Sequence, residues 1–373
     1  MKLIHLSDLH LGKRVNEFSM LEEQANAISQ IIDIVKTEKP DGVIIAGDVY
    51  DKSQPPAEAV RLFDMLLFEL SRQNTQVFVI SGNHDSAERI AFGGRIMNSS
   101  GVHLSPVFNG SVEPVTLTDE FGEADIFMLP FVKPSHVRRF FEDEEINSYT
   151  DAVRCAIEHM EINPNRRNVL VTHQFVTGAQ TCESEEISVG GTDNVDASVF
   201  EPFDYVALGH IHGAQSVSRD TIRYSGTPLK YSFSEIKHQK SATIVELGSK
   251  GDISIKTAPI IPINDMREVR GEHADLMKNE HCEDYMRVIL TDEQDVPEAI
   301  GKLRDIYPNI MRLEYDNSRT RAGAVELETT AAETKSPIEL FGELFYKQNN
   351  KELTEEQTSL LQELIEEIWE GEK

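Results

Sequence analysis

The sequence predicts an α/β protein: a layered β-sandwich flanked by helices, followed by a small α+β unit and a C-terminal helical hairpin. Three observations carry that expectation. Short runs rich in Val, Ile and Leu alternate with amphipathic stretches over the N-terminal half of the chain. Several of those runs give way to Asp, Asn or His at the point where a loop should begin. Pro259 and Pro262 then interrupt the pattern before a second, shorter set of strand-like segments.

Residues 2–7 read as a strand and 17–38 as an amphipathic helix. "DGVIIAGD" reads as a strand, 57–73 as a helix and "TQVFVISGNHD" as a strand. A helix is expected over 88–99, a β-rich stretch around "ADIFMLPF" and a helix over 148–162, then the strands "RNVLVTH" and "FDYVALGHIH". Beyond "TIRYSGTPLKYSFSE", the strands "SATIVELG" and "ISIKTAPI" close a first domain expected to span 1–260. Within 261–320, "DMREVRG", "YMRVILTD" and "NIMRLEYD" read as strands and 296–307 as a helix, a compact α+β domain. A polar linker with Thr and Ala follows over 321–335.

The last segment, 336–373, reads as two helices. Ser336-Pro337-Ile338-Glu339 is a capping box with proline at the first helical position, and Thr354-Glu355-Glu356-Gln357 repeats the logic after a turn. Ile338, Phe341, Leu344 and Phe345, then Leu360, Leu361, Leu364, Ile365 and Ile368, fall at helical spacing. Such a hairpin either packs on its own domain or docks onto another protein.

Composition excludes several classes of function. With 39% hydrophobic and 27% charged residues the chain is neither disordered nor fibrous, and no apolar run is long enough to span a bilayer. The N-terminal apolar run is broken by His5, Ser7, Asp8 and His10, unlike a signal peptide, so a cytoplasmic location is expected. Cys155, Cys182 and Cys282 have no zinc-like or disulfide spacing. The net charge of −28 argues against a broad basic surface for nucleic acid, because such binding replaces counterions with Lys and Arg. Part of that charge is local: residues 326–373 carry 13 acidic and 4 basic groups, a net of −9.

The chemistry lies at the strand ends. In order these are Asp8 and His10 in "HLSDLHLG", Asp48 in "AGDVYD", Asn83 and His84 in "SGNHD", His173 in "VTHQ", and His210 and His212 in "LGHIH". Taken singly, Asp8 or Asn83 is ordinary turn chemistry and a lone histidine is ordinary structure. Together they are a candidate two-metal site, because the carboxyl ends of strands line the ligand crevice of an open α/β sheet. Carboxylate, carboxamide and imidazole donors without thiolate suit Mn²⁺, Fe²⁺ or Zn²⁺ better than Ca²⁺. One ion is allotted Asp8, His10 and His212, the other Asn83, His173 and His210, with Asp48 bridging. Gly47, Gly82 and Gly209 are expected to permit tight bends beside these residues. His84 is placed to protonate a leaving oxygen or stabilise charge, and Asp85 either orients His84 or caps the following helix.

D-x-H, GD-x-x-D, GNHD, a later His and GH-x-H, in this order, resemble the signature of calcineurin-like metallophosphoesterases. "GDVYDKSQPPAEA", "ISGNHDSAERI", "VTGAQTCESEEISVGGTDNV" and "YSGTPLKYSFSE" are similar, more narrowly, to the nuclease subunits of bacterial SbcCD-type DNA-repair complexes. That resemblance covers most of the first 245 residues by motif and the remainder only in layout. It implies a metallophosphoesterase sandwich, a capping domain that binds DNA, and a helical segment that binds an SbcC-type ATPase, the partner rather than this chain holding ATP. It also implies a Mn-dependent hydrolase acting on DNA ends in repair, recombination and replication: a double-strand exonuclease and a single-strand or hairpin endonuclease. A homodimer within a heteromeric complex, without membrane contact and associated with the nucleoid when engaged, is implied as well. Asp51 departs from the histidine of archaeal relatives and is expected to stand behind the ligands. The competing expectations are a phosphoesterase for small phosphodiesters or phosphoproteins, and a DNA-end scaffold that does not cut.

Overall fold

A computed structural model describes residues 1–185, 193–320, 338, 341, 342, 344–346, 351–354, 357–362, 364 and 365. Two six-stranded sheets stack face to face and a three-stranded sheet follows. In chain order the main elements are β1 (Lys2–Leu6), α1 (Leu21–Glu38), β2 (Gly42–Ala46), α2 (Ala57–Ser71), β3 (Gln76–Ile80), β4 (Val102–Leu104), β5 (Val115–Asp119), β6 (Gly122–Leu129) and α3 (Tyr149–Glu158). There follow β7 (Arg167–His173), β8 (Tyr205–Gly209), β9 (Gln215–Val217), β10 (Arg219–Tyr224), β11 (Ser241–Leu247), β12 (Ile253–Pro259), β13 (Met266–Gly271), β14 (Tyr285–Leu290) and β15 (Ile310–Tyr315).

The first sheet runs β12-β11-β1-β2-β3-β4 and the second β9-β10-β8-β7-β6-β5. Strands β1 to β4 are parallel, as are β6, β7, β8 and β10, so their carboxyl ends collect along one edge of each sheet. The alternation of side chains explains why these strands are apolar throughout. Leu3, Ile44, Phe78 and Ile80 face Ile126, Val169, Val171 and Tyr205 of the other sheet, while Ile4, Leu6, Val43 and Ile45 face outward to join Ile28, Ile31 and Leu66 of α1 and α2. On the far side, Leu170, Val206 and Leu208 meet Ala152, Val153 and Ala156 of α3.

Three helices of the first unit differ from the expectation. Helix α1 starts at Leu21 because Asn16 and Glu17, at φ 44° and 70°, turn the chain between paired residues Arg14–Val15 and Phe18–Ser19. The single helix expected over 88–99 is three short pieces, Ala87–Ile90, Gly94–Met97 and the 3-10 turn Asn98–Ser100, broken where Gly93 sits at φ 78°. Helix α3 stops at Glu158, where His159 leaves helical geometry at φ −92° and ψ 6° and its ring Nδ1 lies 2.8 Å from the Cys155 carbonyl.

After Pro262 the chain forms a parallel sheet β13-β14-β15 with its own core of Leu276, Met286, Val288, Leu290, Leu303 and Ile310. The helix expected over 296–307 is confined to Ala299–Leu303. Met266, Tyr285 and Met311 join the core beside α1, and the Phe18 and Tyr285 rings meet edge to face at 6.0 Å, which seats this unit on the first. The expected linker 321–335, Ser336, Pro337 and the end of the chain lie outside the described residues. The described residues between 338 and 346 and between 357 and 365 are helical. The second capping motif is present: Gln357 N donates to Thr354 Oγ1 at 3.3 Å and Thr354 N to Gln357 Oε1 at 3.0 Å. Phe341, Leu344, Leu360 and Leu364 are exposed.

Candidate metal centre

Six of the seven candidate ligands follow strands β1, β2, β3 and β8 on loops that leave the carboxyl edges of both sheets, and the seventh, His173, is the last residue of β7. The backbone bends sharply there. Asp8, His10, Asp48 and His210 have φ of 53°, 44°, 47° and 103°, a conformation that costs a non-glycine residue roughly 1–3 kcal/mol. Surrounding hydrogen bonds hold it: Asp8 N donates to Gly47 O at 3.1 Å, His10 N to Asp48 O at 2.9 Å, and His210 N to Asp8 Oδ1 at 3.0 Å. Gly47 turns at φ 83° as expected. At Gly82 and Gly209 the requirement is space rather than a bend, since a Cβ would overlap the Asp48 carboxylate in one case and the Ala46 carbonyl in the other.

These loops bring the candidate residues into one cluster. Oδ2 of Asp48 lies 3.3 Å from His173 Nε2, 3.8 Å from His10 Nε2 and 3.9 Å from His84 Nε2. On one side, Asp8, His10 and His212 offer ligand atoms within 4.8 Å of one another, with His10 Nε2 and His212 Nε2 3.1 Å apart. On the other side, Asn83 Oδ1 lies 3.0 Å from His173 Nε2 and 2.9 Å from His210 Nδ1. Asp8, His10, Asp48, His173, His210 and His212 are all buried.

Burial sets the charge states. It pushes Asp8 up to about 6 and holds the His10 and His210 imidazoles well below the usual range, hence neutral. Burial opposes charge on Asp48 and His173 too, but here attraction wins: His173 and His84 hold Asp48 well below the carboxylate range, and Asp48 raises His173 to about 9. The cluster is therefore a buried carboxylate surrounded by imidazoles, and it holds that charge with a protonated histidine.

This donor set fits divalent cations. Imidazole nitrogens of His10, His173, His210 and His212 converge with the carboxylate and carboxamide oxygens of Asp8, Asp48 and Asn83, without thiolate among the candidate ligands, and a cation would take the place of the proton that His173 holds beside Asp48. His210 Nε2 is buried with no hydrogen-bond partner among the described residues.

His84 and Asp85 sit differently from each other. The His84 ring is anchored through Nδ1, 3.1 Å from the Asp51 carbonyl, and its amide donates to Asp48 Oδ1 at 2.9 Å. Asp85 does not orient that ring. Its carboxylate accepts from Val49 N, Tyr50 N and Gly82 N at 2.9–3.1 Å, which ties the loops after β2 and β3 together, and the helix cap is Ser86. Asp51 Oδ1 takes Lys13 Nζ at 2.6 Å and lies 3.8 Å from His10 Nδ1, behind the cluster. One contributor escaped the sequence reading: the loop Cys182–Glu185 reaches His212, and no spacing relates those residues to it.

Residues 1–214 match the calcineurin-like phosphoesterase family and residues 262–350 match the type 5 capsule protein repressor C-terminal domain. The SbcD subunit of the SbcCD nuclease of Staphylococcus saprophyticus subsp. saprophyticus is 34% identical over 321 residues, 84% of each chain. That of Staphylococcus epidermidis is 31% identical over 329 residues, 85% of this chain and 87% of the relative. Among solved structures, a dimetal phosphatase from Danio rerio covers 70% of this chain and 97% of its own at 11% identity, with a TM-score of 0.42. Strand-end carboxylates and imidazoles gathered around one buried aspartate, on a chain matched in this way, place the protein in the calcineurin-like phosphoesterase family of hydrolytic enzymes and, within it, among the SbcD nucleases.

Proposed function

We infer that the chain is a Mn-dependent DNA nuclease, cutting double-stranded ends exonucleolytically and single strands or hairpins endonucleolytically. The observation that carries this reading is the position of Asp48, whose carboxylate lies within 3.3–3.9 Å of imidazoles from three separate segments, two loops and the end of β7. Asp8, His10 and His212 would hold one ion and Asn83, His173 and His210 the other, with Asp48 shared. Ions bound there supply Lewis acidity and lower the pKa of water towards neutrality. The chain's own part is positioning and proton transfer. Asp85 locks two ligand loops through three backbone amides. His84, held at Nδ1 by the Asp51 carbonyl, would in its doubly protonated form present Nε2–H to the leaving oxygen as proton or hydrogen-bond donor.

The first domain, 1–260, would do the chemistry and the unit at 261–320 would contact DNA. Arginines of that unit are engaged with carboxylates: Arg267 with Asp284 at 2.6 Å, Arg287 with Glu314 at 2.6 Å and Arg270 with Asp316. DNA must exchange these pairs, so the chain alone should hold duplex weakly. An SbcC-type ATPase, docked on the hairpin 336–373, would supply the remaining grip. Val60, Met65 and Phe68 on α2, with Phe92 and Ile96 exposed by 83% and 79%, support a homodimer.

Labelled duplex, labelled hairpin and a small bis-aryl phosphodiester, each with and without Mn²⁺, test the reading. Cleavage of both DNAs only with Mn²⁺ is expected. Turnover of the small ester without either DNA would identify a small-molecule phosphodiesterase, and binding without cleavage a scaffold.

A further inference from the structure

His212 is gripped by groups that are not among the proposed ligands. Its Nδ1 lies 2.7 Å from Ser184 Oγ, and that hydroxyl lies 2.6 Å from Glu235 Oε1. A carboxylate only accepts, so the hydroxyl proton points to Glu235 and the hydroxyl oxygen accepts from His212 Nδ1–H. A neutral imidazole carries one proton, so Nε2 keeps its lone pair and aims it at the cluster, 3.1 Å from His10 Nε2. Glu235 is itself fixed. It is fully buried, and its Oε2 accepts from Lys240 Nζ at 2.5 Å. The same ammonium donates to Thr227 Oγ1 at 2.6 Å and to the His212 carbonyl at 2.9 Å, while the His212 amide donates to Glu185 Oε1 at 2.6 Å.

Other imidazoles of the cluster are oriented by backbone: His173 Nδ1 by the Ala46 carbonyl at 2.9 Å, His84 Nδ1 by the Asp51 carbonyl. His212 is oriented by side chains from two segments, one at 182–185 and one at 227–240, about 50 residues apart in sequence (Ser184 and Glu235 are 51 apart). A hydroxyl backed by a charged carboxylate is a stronger acceptor than a lone hydroxyl.

We propose that Ser184 and Glu235 are positioning residues that fix His212 as the Nδ1-protonated tautomer and thereby set the affinity for the ion assigned to Asp8, His10 and His212. The proposal rests on the two-metal reading above. Groups that receive the second N–H of a metal-binding histidine are worth about 10–100-fold in affinity, and Ser184 sits on an accessible loop where truncation leaves the cores untouched.

The test uses the full chain, stripped with EDTA. Calorimetric titration with Mn²⁺ should show one of two ions bound about 10-fold or more weakly by Ser184→Ala, with Ser184→Thr restoring affinity. The metal-free thermal midpoint should match the parent, which separates positioning from a folding defect. Nitrogen-15 NMR of histidine rings in the metal-free parent should show His212, assigned by its loss in His212→Gln, protonated on Nδ1. Parent-like Mn²⁺ affinity in Ser184→Ala, or an Nε2-protonated His212 in the parent, overturns this proposal alone. No Mn²⁺ binding by the parent overturns the metal centre and this proposal with it.

Discussion

The loops that carry the candidate ligands and the sheet of the C-terminal unit spend their polar groups in opposite ways. Around Asp48 six of the seven candidate ligands are buried, and four of the seven have left-handed backbone. On β13, β14 and β15, by contrast, Arg267, Arg287 and Arg312 are half-exposed or exposed and paired with acidic neighbours, Arg287 across strands with Glu314, Arg267 with Asp284 just before β14 and Arg312 with Glu314 of its own strand, and no residue of these strands has positive φ. Buried, strained and converging groups indicate a site that the fold maintains against its own stability. Exposed, mutually paired charges on an ordinary sheet indicate a surface that can exchange partners at little cost.

Substitutions at the two places should therefore differ by orders of magnitude. Asp48→Ala should reduce hydrolysis of every substrate to background, because both ions lose the shared carboxylate, while part of the DNA binding survives; gel-based cleavage with a nuclease-free preparation checks this. His84→Ala should lose about 10²-fold or more in turnover with both metals retained, as expected for a lost proton donor. Metal content by mass spectrometry is the control, and metal loss in step with activity would make His84 a ligand. Deleting 336–373 should leave turnover of short substrates largely intact and abolish co-purification with the SbcC-type ATPase. Unchanged affinity would move the dock to the unit at 261–320. The smallest effect is expected from Arg287→Ala, which removes pairs to Glu268 and Glu314 at the surface: a stability loss of about 1 kcal/mol or less by denaturant titration and unaltered turnover of the small ester. A large loss there would erase the contrast.

The candidate ligands were legible because each follows an apolar run that could only be a buried strand, and strands in parallel sheets deliver their ends to one edge. Local punctuation read less well. Asn16-Glu17 and Gly93-Gly94 break helices whose apolar periodicity continues through them, and a turn propensity at one residue cannot outvote a pattern over ten. Asp85 next to His84 suggested an orienting pair, but its carboxylate serves three backbone amides instead. Ser184 and Glu235 were illegible in principle. They act on His212 through space, Ser184 from a loop and Glu235 from the 3-10 turn Phe233–Glu235, and one sequence contains no sign that they meet.

Four of the seven candidate ligands, Asp8, His10, Asp48 and Asn83, hang from one sheet, and three, His173, His210 and His212, from the other. The first sheet, moreover, is closed by β11, which pairs β1 with residues 241–247. A chain emerging from the ribosome thus carries the GNHD text long before it owns a place to put a metal, and two-thirds of the polypeptide must be made before both walls of the centre can stand. A nuclease whose candidate ligands are divided between two sheets gains its site only when the two layers have met.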